Sequence, residues 1–144
     1  MGAIELLPKE YGYVVLALAL YSLVNFWMGF KVGGARRKYK VFYPTLYASA
    51  AENKDANVFN CIQRGHQNSL EMMPMFYLAL SLGGLQHPCV ATALGLVYTV
   101  GRIVYFLGYS TGEPKNRMYG GGVIFLSLFG LIGCTISLGV HLLI

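Results

Sequence analysis

The chain has 144 residues, 56% of them hydrophobic and only 12% charged, with a formal net charge of +5. Average globular domains carry about 25% charged residues, so the composition argues against a soluble fold. The positive excess sits mostly between hydrophobic runs, where membrane topology accounts for it, and a nucleic-acid partner is excluded. No Asp, Glu, Lys or Arg occurs in 11–30, 72–101 or 118–144. A helix needs roughly 20 apolar residues to cross the hydrocarbon core, so the first and last runs supply one span each and the middle region two more. This predicts an all-α membrane protein, a bundle of four transmembrane helices forming a single domain over 1–144.

In chain order, the first helix is expected over about 11–32. It follows Glu5, Lys9 and Glu10 and lacks a small-residue cleavage site, so it reads as a retained span rather than a secretory signal. Lys31, Arg36, Arg37, Lys38 and Lys40 mark its end, and Tyr43-Pro44 opens a polar loop running to about Asn57. Tyr39, Tyr43 and Tyr47 belong to an interfacial aromatic belt. The second helix is expected over about 58–85, capped by Asp55 or Asn57 and kinked at Pro74. Gly83-Gly84 and His87-Pro88 form the next turn. The third helix spans about 88–109 and is broken by Ser110-Thr111-Gly112-Glu113-Pro114, and the fourth spans about 117–144. The 31–57 loop carries six basic residues and the 110–118 loop two, against Lys9 alone on the other side. Both basic loops are therefore expected in the cytosol and both termini on the opposite face.

Cys61, Cys89 and Cys134 fall one in each of the last three helices without paired spacing, which argues against disulfides and a metal site and for small membrane-buried residues. Gly29-x-x-x-Gly33 and Ala91-x-x-x-Gly95 predict close helix packing. No glycine-rich phosphate loop is present.

Arg64, Glu71 and Arg102 stand within or at the edge of otherwise apolar helices, where an ionised group costs roughly 2.5 to 3.5 kcal/mol if central. They either snorkel and pair with one another to stabilise the bundle, or they form a site. At 100° per residue, Arg64, Asn68 and Glu71 share one helix face, and Arg102, Tyr105 and Tyr109 share another. Both faces occupy the cytosolic half, beside Arg36 and Arg37 at the end of the first helix and Arg117 at the start of the fourth. Several guanidinium groups, one carboxylate, an amide and two phenols suit a small zwitterion with more than one carboxylate and an ammonium group, and not a metal. His66 projects 200° from Arg64, His87 is a turn residue and His141 lies near the far end. All three read as structural, and no catalytic histidine is expected.

The segments Arg64-Gly-His-Gln-Asn68-Ser-Leu-Glu71, with Pro74 after it, and Gly101-Arg102-Ile-Val-Tyr105-Phe-Leu-Gly-Tyr109 resemble the signature segments of the MAPEG membrane proteins. Together with Ala35-Arg36-Arg37-Lys38-Tyr39-Lys40-Val41, Phe59-Asn60-Cys61-Ile62-Gln63 and Tyr109-Ser-Thr-Gly112-Glu113-Pro114, they most closely resemble the microsomal glutathione S-transferase type 3 branch. The resemblance implies a homotrimer in the endoplasmic reticulum membrane, with termini lumenal and glutathione bound as co-substrate at the cytosolic half, between protomers. It implies that Arg64, Asn68, Glu71, Tyr105, Tyr109 and Arg117 line the site from one protomer, Arg117 activating the thiol. Arg36 and His66 would reach in from the neighbour, and Arg102 would order the site. The implied activity is conjugation of glutathione to lipophilic electrophiles or reduction of lipid hydroperoxides, with no metal. Met72 stands where leukotriene C synthase has a tyrosine, and His66 where it has a glutamine, which weakens a leukotriene-specific reading. The family also contains a non-catalytic lipid-binding member, so a scaffold without turnover is the alternative, and a channel or transporter subunit comes third.

Overall fold

A segment lying in hydrocarbon must satisfy its backbone N–H and C=O groups internally, which favours helix wherever charge is absent. The computed structural model describes residues 7–144, so Glu5 lies outside the described residues. Among the described residues the chain forms α1 (Tyr11–Tyr39), α2 (Ala56–Gln86), α3 (Pro88–Tyr109), a 3-10 turn (Pro114–Arg117) and α4 (Met118–Leu143). Three helical segments of the described residues are long and apolar enough to cross a membrane: α1, α3, and the 3-10 turn together with α4. The 31-residue α2 is not among them. Its first half carries Asn57, Asn60, Gln63, Arg64, His66, Gln67, Asn68 and Glu71.

Two expectations about helix ends are corrected. The first helix runs seven residues past position 32, so that Arg36, Arg37 and Lys38 form its last turn, where cations meet the negative end of the helix dipole. It stops at Lys40, whose backbone is left-handed (φ 56°) and whose N–H donates to the Arg36 carbonyl. At the start of α2, Asp55 holds the cap position without a side-chain hydrogen bond, while Asn57 donates instead to the Gly112 carbonyl at 2.8 Å. Gly112 lies in the turn after α3 at φ 84°, a conformation that favours glycine. The helix α2 continues through Pro74.

The bundle is held by an aromatic centre. Tyr98 of α3 stacks on Phe76 of α2 with ring centroids 4.0 Å apart, and Tyr21 of α1 meets Phe76 edge-on at 4.6 Å. Of the small-residue motifs, Ala91 is fully buried and Gly95 faces Leu80, where an added Cβ would sit 3.1 Å from a Leu80 methyl. Gly33 has open space around it. The closest helix approach falls elsewhere. A Cβ on Gly120 would collide with the Gly101 carbonyl and the Tyr105 amide, and one on Gly108 would collide with the Asn116 carbonyl. Thus α3 lies backbone against backbone on the 3-10 turn and the start of α4, the approach that small residues permit in lipid.

Gly120→Ala should therefore force α3 and α4 apart and cost about 1 to 3 kcal/mol, as overpacking does. A lowered thermal midpoint in detergent checks it, with Gly122→Ala, which meets nothing within 4 Å, unchanged.

Candidate functional site

The two polar helix faces meet. Arg64 and Asn68 of α2, Arg102, Tyr105 and Tyr109 of α3, and Arg117 of the 3-10 turn line one groove of about 400 Å³. Its remaining wall is apolar and includes Met72, Ile124 and Phe125, so one cavity joins guanidinium and phenol groups to a lipid-like surface.

Arg102 is only 1% exposed, the largest fully buried side chain of the described residues. Its Nε donates to the Tyr98 hydroxyl at 3.0 Å and its Nη1 to Asn68 Oδ1 at 2.7 Å. The guanidinium also lies over the Tyr98 and Tyr105 rings, at 5.1 and 5.6 Å from their centroids. No carboxylate partners it, for the one ion pair among the described residues joins Arg64 to Glu71. Hydrogen bonds and ring faces thus offset the desolvation of a buried cation.

Arg64 holds Glu71 with two hydrogen bonds, 2.8 and 3.1 Å, two turns along the same helix. The pair is substantially exposed, with side chains 40% and 46% accessible, so it is available to exchange partners. Arg117 is half-buried and donates to the Tyr109 hydroxyl at 3.1 Å. The Tyr105 and Tyr109 rings meet edge-on at 5.8 Å.

Arg36 and His66 are not brought to this groove. Arg36 is 7% exposed and closes its own loop, donating to the Thr45 carbonyl at 2.7 Å and the Val41 carbonyl at 3.4 Å, with its charge over the Tyr43 ring at 4.4 Å. His66 lines a second groove of about 710 Å³ between α1 and α2, together with Asn25, Phe26, Tyr77 and the exposed Arg37. Arg37, adjacent to the expected residue, is therefore the arginine that faces an open cavity. Its assignment depends on how the last turn of α1 is rotated against the loop, which spacing alone does not specify. Tyr98 was also missed, although it stands four residues before Arg102 on the same helix face, a spacing that signals contact. The three cysteines are free: Cys61 is buried, Cys134 half-buried, and Cys89 lies on the outer surface of the membrane-length helix α3, in its first turn.

A helical bundle with membrane-length segments and a groove running from guanidinium groups into apolar side chains defines a membrane protein that can hold an amphipathic anion or zwitterion. The chain belongs to the MAPEG family, whose pattern matches residues 14–137, and it is an integral membrane protein. It is 38% identical to microsomal glutathione S-transferase 2 of Homo sapiens over 112 residues, covering 74% of this chain and 71% of the relative. The Bos taurus protein of the same name is 36% identical over 72% of this chain and 69% of its own length. An uncharacterised protein of Synechocystis sp. is 32% identical over 85% of each chain. The mammalian relatives carry the type 2 name, whereas the motifs resemble the type 3 branch, and the family is common to both.

Proposed function

We propose that this protein is a membrane-bound glutathione transferase that also reduces lipid hydroperoxides with glutathione. The observation that carries the reading is the single groove in which Arg64, Asn68, Tyr105, Tyr109 and Arg117 meet Met72 and Phe125. The names of the mammalian relatives support it. In this reading the γ-glutamyl head exchanges partners with the Arg64–Glu71 pair, its carboxylate taking Arg64 and its ammonium taking Glu71.

Arg117 supplies the chemistry. A free thiol with a pKa near 8.5 is about one-tenth ionised at pH 7.5, and one held near ~6.5 is about nine-tenths ionised. A guanidinium keeps its charge at any working pH, and beside lipid it attracts the developing thiolate more strongly than in water. The thiol proton passes to solvent, and sulfur then bonds to the electrophilic carbon as that carbon's leaving bond breaks. With a hydroperoxide, sulfur attacks the terminal oxygen and the O–O bond breaks. A second glutathione completes the disulfide, releasing an alcohol and water.

The same reading takes α2 as the fourth span, lined by the others, in a homotrimer of the endoplasmic reticulum membrane with the groove toward the cytosol and both termini lumenal. The neighbour's second groove closes the site, with His66 and an α1 arginine reaching in. Arg37 suits that role better than Arg36, whose hydrogen bonds are spent on its own loop.

Arg117→Ala should leave glutathione binding largely intact, lower turnover at neutral pH, and move the pH dependence of the rate upward, since hydroxide must then replace the cation. Turnover with one electrophile and one hydroperoxide measures this. An unchanged profile would make Arg117 a membrane anchor and favour the scaffold reading. Assembly is tested by native mass spectrometry in detergent during glutathione titration. Three chains are expected, with binding lost on dissociation, and a monomer that binds with full affinity would contradict the shared site.

A further inference from the structure

The fully buried Tyr98 has no part in the chemistry above, yet it ends a string of contacts that reaches the groove. Its ring is stacked on Phe76 at 4.0 Å and met edge-on by Tyr21 at 5.5 Å, so its hydroxyl is held in one place. There it accepts the Nε–H of Arg102 at 3.0 Å. Arg102 in turn donates from Nη1 to the Asn68 side chain at 2.7 Å. A guanidinium carries donors and no acceptor, so the amide oxygen of Asn68, and not its nitrogen, must face Arg102. This leaves Nδ2 as the amide atom available to the groove that Asn68 lines.

We propose that Tyr98 and Arg102 are positioning residues that fix Asn68 as a donor-only contact, so that the groove selects a ligand presenting a carboxylate there. An untethered asparagine can present either oxygen or nitrogen by turning its amide over, and would accept a carboxylate or a carboxamide with little distinction. The string removes that freedom by anchoring Arg102 at Nε and Nη1 together. The absence of a carboxylate partner for Arg102 among the described residues reinforces the choice, because the uncompensated cation behind Asn68 favours an anion in front of it. This inference rests on the groove being the glutathione site and adds to it which polarity position 68 reads.

The test compares glutathione with its analogue in which the α-carboxylate of the γ-glutamyl residue is a carboxamide, by calorimetric titration of the purified assembly in detergent. The parent protein should prefer glutathione by at least about tenfold, the scale of a hydrogen bond to a charged group. Asn68→Asp keeps an oxygen toward Arg102 but turns an acceptor to the groove, and should reverse the preference. Tyr98→Phe keeps the stacked ring and loses only the hydroxyl that accepts from the charged guanidinium, and should narrow the preference by at least about fivefold. A purely structural role for Tyr98 would lower the thermal midpoint without moving that ratio. The inference is overturned if Asn68→Asp retains the parent's preference, if Tyr98→Phe leaves the ratio unchanged, or if the parent binds both ligands equally. In each of those cases glutathione binding itself stands. A parent protein that binds no glutathione overturns the functional reading together with this one.

Discussion

A guanidinium buried without a carboxylate partner among the described residues is the constraint around which the polar half of this bundle is arranged. Ionised groups within a membrane are costly and seek partners, and Arg102 finds a phenol, an amide and two ring faces instead of an acid. Two consequences follow. The contacts tie α3 to α2 at one depth, which brings their polar faces together, and they leave the positive charge uncancelled. Arg64 is neutralised by Glu71, so the net positive character of the groove comes from Arg102 and Arg117.

The second requirement is geometric. Arg117 stands on a short 3-10 turn, and its place beside Tyr109 depends on how closely α4 begins against α3. Gly101, Gly108 and Gly120 permit backbone contact there, and any side chain at position 120 would meet main-chain atoms that cannot move aside. Charge burial sets one wall of the groove and glycine contact sets the other. Each works without the other's residues, so packing and electrostatics are separable by mutation.

The polar faces were legible in the sequence because polar residues inside apolar runs are rare and their spacing is periodic. From 100° steps alone Arg64, Asn68 and Glu71 could be grouped on one face and Arg102, Tyr105 and Tyr109 on another, and five of the six line one groove, Glu71 being held by Arg64 instead. Features that depend on irregular backbone were not legible. Arg36 is consumed by the carbonyls of Thr45 and Val41, and only the path of the 40–55 loop reveals that. The seven extra residues of α1 escaped because a basic cluster reads as a helix end, although a last turn tolerates cations well. Gly120 escaped because glycine spacing within one helix does not identify the residue opposite it in another.

The central claim is that this cationic groove ionises the thiol of a bound tripeptide, and the most direct measurement is the ultraviolet difference absorbance of thiolate when glutathione is added to the purified protein at neutral pH. The account predicts a thiolate signal that saturates with binding, disappears when S-methylglutathione replaces glutathione, and is lost in Arg117→Ala although calorimetry still detects the ligand. Tight binding of glutathione by the parent protein with no thiolate signal would contradict it.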